Sequence, residues 1–264
     1  RRVIAEDWCR ELMAQQAALG MTCELVFYRN AHTNNGELPL HCWIHRDGAS
    51  PGTAEELDPA NSISFDQLFM EHPILLVLSE FSATAPLKMA ARTRPIRAAT
   101  MAGFRHDMVP ALRLDYTEVN RRVAYLKELL DKATGADFCF AYPGGEAELH
   151  LDLRFRQGHA SGGLLPDPGT AGNLPSGEAY IVPYEGETET SRSAGILPVQ
   201  FGTELVLYKI ENNKAVSVLT QGGASDGEAA HLAAEPAYGN IAELGLGVLA
   251  AFGVKPIGKE LLDE

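Results

Sequence analysis

The run of residues 73–78, Pro-Ile-Leu-Leu-Val-Leu, carries no charge and no polar side chain. It is far shorter than the ~18–20 apolar residues that cross a bilayer, so its place is inside a protein core. Continuous rather than alternating apolarity suits a strand covered on both faces, as in a parallel sheet. Residues 86–91 then read as a helix, with Pro86 at an early position where its missing N–H is tolerated. Residues 95–101 read as a second strand. Strand, helix, strand in this order is the signature of an α/β fold.

The rest of the chain fits around that core. Val3, Ile4, Trp8, Leu12, Met13 and Ala17 recur at helical spacing over residues 1–19, and Gly20 stops the pattern. Residues 22–28 and 39–45 read as extended, and 65–71 as a short helix. The clearest helix covers 116–133, with Val119, Val123, Leu126, Leu129 and Leu130 on one stripe. Beyond it the texture changes to short alternating strands over 137–142, 147–156, 179–183, 202–210 and 215–219. Gly-, Pro- and Asn-rich turns separate them, Asn212-Asn213 among them. Residues 240–252 read as a buried helix or a strand-to-helix turn. The expected architecture is α/β: an N-terminal open, mostly parallel α/β domain over 1–113, then a β-rich α+β domain over 114–264.

Charge and cysteine usage exclude several classes. The 264 residues carry a net charge of −13, and 22 acidic against 11 basic side chains fall in residues 114–264. Nucleic-acid surfaces need clustered Lys and Arg, so no nucleic-acid partner is expected. No apolar run is long enough to span a membrane, and no basic-then-apolar leader opens the sequence. Cys9, Cys23, Cys42 and Cys139 are far apart, with no Cys-x-x-Cys pair. They read as free thiols of a reducing cytoplasm rather than a zinc or disulfide framework.

The glycine-rich nucleotide-binding fingerprints are missing: there is no G-x-G-x-x-G and no G-x-x-x-x-G-K-[ST]. His41 and His45 on one strand would stand about 13 Å apart, too far to share an ion. His150 and Asp152 alternate onto one strand face, where an ion site and an ordinary polar face are both open readings. Lys88, Arg92, Arg94, Arg97, Arg105 and Arg113 form a basic cluster, read as a solvated face or as a site for a small anion. Two acids stand apart from these. Glu178 follows the constrained turn Asn173-Leu174-Pro175-Ser176-Gly177, which aims a carboxylate from a strand edge. Glu243 is the only charge between Glu235 and Lys255. Each is a candidate metal ligand, because hard and borderline ions take oxygen donors held in fixed directions. A salt bridge or a helix cap is the plainer alternative for Glu243.

The pairing of Asn173–Glu178 (N-L-P-S-G-E) with Ala242-Glu243-Leu244-Gly245-Leu246-Gly247, about 65 residues on, resembles the metallo-aminopeptidases of the aminopeptidase T / aminopeptidase S type. The resemblance covers residues 115–264 best. It implies divalent metal ions (Zn, Co or Mn) ligated by Glu178 and Glu243, and a cytoplasmic homodimer. It further implies a hydrolase that releases N-terminal amino acids from peptides or a related small substrate. In that family, histidines and an aspartate downstream of the second glutamate complete the site. Here no histidine follows His231, and Leu249 stands where relatives often carry Asn, so the resemblance implies a domain incomplete at its C-terminus, with 256–264 as a helical approach to the remainder. The same scaffold is also similar to a mononuclear iron enzyme, the ring-cleaving 2,5-dihydroxypyridine dioxygenase, which gives the alternative reading with iron as cofactor. A non-catalytic relative that binds a small anionic ligand is the third.

Overall fold

A computed structural model describes residues 1–46 and 48–254. In chain order its elements begin with α1 (Arg2–Ala14), α2 (Gln16–Leu19), β1 (Leu25–Phe27), β2 (His41–His45), β3 (Ser62–Ser64), α3 (Phe65–Glu71), β4 (Ile74–Val77), α4 (Thr84–Ala91) and β5 (Arg97–Thr100). They continue with α5 (Tyr116–Leu130), β6 (Gly135–Tyr142), β7 (Gly145–Asp152), β8 (His159–Ser161), β9 (Thr170–Asn173), β10 (Glu178–Ile181), β11 (Ala194–Phe201), β12 (Glu204–Glu211), β13 (Lys214–Val218), α6 (Gly223–Ala234) and β14 (Leu244–Gly247). Helices and strands mix throughout, as an α/β class requires. Two compact units form. One takes residues 1–120, 161–177 and the chain from Val248; the other takes 121–160 and 178–247. The sequence reading divides the chain at residue 113 instead. The expected helical tail at 256–264 lies outside the described residues.

In the first unit, β4, β5 and β9 make a parallel sheet, with Ile74 level with Arg97 and Arg97 level with Thr170. Leu75 and Val77 pack with Phe69, Leu87, Ala91, Ile96 and Ala98 into the core beneath α4. The expectation that this strand is covered on both faces is corrected: Ile74 and Leu76 are 49% and 46% exposed. The reason is that the face opposite the α4 core borders a cleft, which Ile74 and Leu76 line. A second sheet, β1-β2-β3, is antiparallel. The unit therefore holds one parallel and one antiparallel sheet of equal size rather than a mostly parallel one. Thr84 Oγ1 and Thr100 Oγ1 both donate to Asn173 Oδ1, at 2.7 and 2.9 Å, joining the start of α4 to the ends of β5 and β9.

The second unit is built on an antiparallel five-stranded sheet, β13-β12-β11-β7-β6, and the small sheet β14-β10-β8. Its turns are legible residue by residue. Pro143-Gly144 joins β6 to β7 with Gly144 at φ 98, as a type II turn needs at that position. Asn212 and Asn213, at φ 52 and 67, join Glu211 to Lys214 in a two-residue type I′ hairpin. Ala147, Leu149, Leu151, Val206, Tyr208 and Ile210 are among the buried side chains of the large sheet. Among the described residues no helix is long and apolar enough to cross a membrane.

Candidate functional site

The turn that precedes Glu178 is held from within the first unit. Leu174–Pro175 is a cis peptide. Ser176 is fully buried, and its Oγ donates to the carbonyl of Ser161 at 2.8 Å. Gly177 has no room for a Cβ, which would press on Leu249. Ser176 is thus part of the turn's scaffold, a structural hydroxyl rather than a nucleophile.

Glu178 opens β10, half-buried, and pairs across the ladder with Gly247. The register continues to Ile181 opposite Leu244, so Glu243 lies one residue beyond the ladder. Exposure alternates along β14: Gly245 and Gly247 are open, while Leu244 and Leu246 turn inward. That alternation puts 243, 245 and 247 on the face shared by Glu178 and Tyr180. Along the strands, Glu178 and Glu243 stand about four residues, or ~13 Å, apart. The Glu178 side chain crosses part of that interval, because its carboxylate lies where a Cβ on Gly245 would be. Glycine at 245 is what lets the carboxylate lie flat along the ladder towards Glu243, which is itself exposed. The structure thus sets Glu178 at the start of β10 and Glu243 one residue before β14, towards opposite ends of a short ladder.

Two further groups share this small sheet. His159, on β8, stacks on Tyr180 with ring centroids 5.0 Å apart and 26° between planes. The turn before it is fixed by Asp131, whose carboxylate accepts from Gly158 N at 2.8 Å and from Lys127 Nζ at 2.6 Å. The hydrogen bond from Lys127, then that from Gly158, lowers the Asp131 pKa. Sequence reasoning passed over His159 because β8 is only three residues long and shows no periodicity. Among the described residues, no three His, Cys, Asp or Glu side chains converge into a group that holds a metal ion.

The other candidates resolve into structural roles. Asp152 is fully buried, gripped by Arg154 Nε at 2.9 Å and Nη2 at 2.7 Å, and accepts from Arg192 N at 2.9 Å. The Arg154 hydrogen bonds hold its carboxyl down to about 2. His150 bonds instead to Asp137, at 2.7 Å. The two residues that alternate on one strand therefore serve separate partners. In the basic cluster, Arg94 pairs with Asp66 at 2.5 Å, Arg97 Nε donates to Leu165 O at 2.6 Å, and Arg105 pairs with Asp107. Three of its six cations are thus engaged within the fold. His41 and His45 occupy the two ends of β2, as their spacing requires.

No protein-family model matches the chain, and no curated protein matches it. Among solved structures it is similar to 2,5-dihydroxypyridine dioxygenase from Pseudomonas putida KT2440, with a TM-score of 0.52 and 16% identity. The match covers 69% of this chain and 52% of that one, so the chain spans about half the length of the enzyme it resembles. This finding corrects the expected membership in the metallo-aminopeptidases, and with it the hydrolase and aminopeptidase assignment. The physical reason lies in what the two motifs encode. N-L-P-S-G-E and A-E-L-G-L-G specify a buried turn and a glycine-paved ladder, which are properties of the scaffold rather than of a peptidase reaction. What the comparison establishes is a likeness of fold.

Proposed function

We propose that this chain belongs to an oxygen-dependent, ring-cleaving enzyme acting on a small hydroxylated aromatic ring, in the manner of its structural neighbour. The observation that carries the reading is the fold match to a dioxygenase, joined to a sheet face that bears Glu178, Tyr180 and His159 with Glu243 at its end. In such an enzyme an iron ion, held by imidazole and carboxylate donors, supplies the activation of oxygen. The described residues do not complete an iron site, since no three donors converge. Glu178 and Glu243 offer oxygen donors, either to a metal or to the proton of a ring hydroxyl. Tyr180 and His159 offer flat surfaces beside them, against which a planar ring packs. The substrate class is a small molecule rather than a peptide, and a cytoplasmic homodimer belongs to the same proposal.

The test is direct. Protein reconstituted anaerobically with ferrous iron is mixed with 2,5-dihydroxypyridine in air-saturated buffer, while oxygen and ring absorbance are followed together. The expected result is oxygen uptake in step with loss of the ring band, both strongly reduced in Glu178→Gln. Folded, iron-loaded protein that consumes no oxygen with this or related dihydroxylated rings overturns the proposal.

A further inference from the structure

α1 and the chain that enters β1 wall a cleft of about 1280 Å³ in the first unit, lined by Trp8, Cys9, Cys23, Glu24, Phe27 and His72 among others. Two of the four thiols meet in this wall. The Sγ of Cys23 is 3.6 Å from the Sγ of Cys9, with the two residues 14 positions apart. Cys9 projects from α1 and is 7% exposed, whereas Cys23 is half-buried and open to the cleft. The remaining thiols are partnered otherwise: Cys42 faces the carbonyl of Ile63 and Cys139 faces Glu148. A disulfide needs its sulfurs at about 2.05 Å, an approach of roughly 1.5 Å that side-chain rotation and a small shift of one end can supply. The intervening chain has the slack for it, since α1 ends at Ala14 and a left-handed Gly20 turns the backbone before Cys23.

We propose that Cys9 and Cys23 are a redox modification site, a dithiol that a peroxide-class oxidant closes into a disulfide tying α1 to the entry of β1. Cys23, the more accessible thiol, attacks one peroxide oxygen as thiolate. The O–O bond breaks, Cys23 becomes a sulfenic acid, and the departing hydroxide leaves as water with the proton that Cys23 gave up. Cys9 then attacks that sulfur. The S–S bond forms, the S–O bond breaks, and the leaving hydroxide takes the Cys9 proton as a second water. Two thiols and one hydrogen peroxide thus give one disulfide and two waters. Burial, and next the neighbouring Cys23, push the Cys9 thiol up to about 12. Cys9 consequently does not initiate the reaction; its place 3.6 Å from Cys23 makes it the resolving thiol, which gives up its proton to the leaving hydroxide as it attacks. A small thiol reductant returns the pair to its open form.

The experiment uses the whole chain with the exposed thiol removed by Cys139→Ser. Protein treated with hydrogen peroxide is alkylated, digested with trypsin and examined by mass spectrometry. Arg10 lies between the two cysteines, so trypsin places Cys9 in residues 3–10 and Cys23 in residues 11–29. The expected result is a linked 3–10/11–29 species, lighter than its parts by two hydrogen atoms and separated again by dithiothreitol. In Cys9→Ser, the same treatment leaves Cys23 as a sulfenic acid or a more oxidised form. In Cys23→Ser, Cys9 stays reduced. Recovery of the two peptides unlinked from oxidised protein with native circular dichroism overturns the proposal, whether the thiols are untouched or individually over-oxidised.

Discussion

At the scale of single residues, charge decides where a side chain belongs. In the sequence Asp152 alternates onto one strand face with His150, which leaves an ion site open as a reading. The fold gives it Arg154 and the Arg192 amide instead. Its carboxyl is lowered from 3.8 to about 2 by these partners, Arg154 first. A lowered carboxyl adds stability that is full above about pH 5 and is lost as pH falls through about 2; the shift is worth about 2 kcal/mol. Urea titrations of the wild type from pH 7 to pH 2 are expected to show that decline. Asp152→Asn is expected to lose this part of the acid dependence, and to cost about 3 kcal/mol at pH 7 because Arg154 is left largely buried without its main partner. An unchanged urea midpoint would contradict the assignment. Gly245 is the counterpart at the proposed site. In Gly245→Ala the new methyl occupies the place of the Glu178 carboxylate, so a fall of about tenfold or more in kcat/KM, worth ~1.4 kcal/mol or more, is expected without loss of fold. Full retention of activity on the dihydroxylated ring would show that the Glu178 orientation is irrelevant.

At the scale of elements, local chemistry and long-range pairing separate what a sequence discloses from what it hides. α4 is legible from Pro86 in its first turn, and the Asn212-Asn213 hairpin from two residues that tolerate left-handed backbone. The third parallel strand, β9, is four residues of Thr-Ala-Gly-Asn, which carry no apolar pattern, and its pairing with β5 spans more than seventy positions. α6 escapes notice because its glycines and alanines give almost no amphipathic stripe. The site divides in the same way. Glu178 and Glu243 stand out as isolated acids in constrained settings. Their placement on one ladder face depends on a register between β10 and β14 that no local pattern reveals, and the same holds for His159 beside Tyr180. Asn213 tests the legible part. It combines φ 67 with complete burial, and its Nδ2 donates to Ile241 O at 2.9 Å. Asn213→Ala therefore loses both a residue suited to left-handed backbone and a buried hydrogen bond. A cost of about 2–3 kcal/mol in denaturant unfolding is expected, whereas Asn213→Gly, which keeps the backbone freedom, should cost less. Equal costs for the two would refute the role given to backbone conformation.

At the scale of the whole molecule, stability and proposed chemistry occupy different surfaces. The core beneath α4 is a closed cluster in which Leu87 is 1% exposed, so Leu87→Ala is expected to cost about 2–5 kcal/mol. Leu76, on the open face of the same sheet, is expected to tolerate threonine within about 1 kcal/mol. Comparable losses at both positions, measured by thermal melting, would mean that the exposed side of β4 is covered. The oxygenase reading joins a fold shared with a dioxygenase to an acidic, glycine-floored sheet face in the second unit. Its most direct test follows the oxygen atoms themselves. Iron-loaded protein is supplied with 2,5-dihydroxypyridine under isotopically labelled dioxygen, and the product is weighed by mass spectrometry. An opened ring carrying both labelled atoms is the expected result; an intact ring, or a product whose new oxygen comes from water, contradicts it.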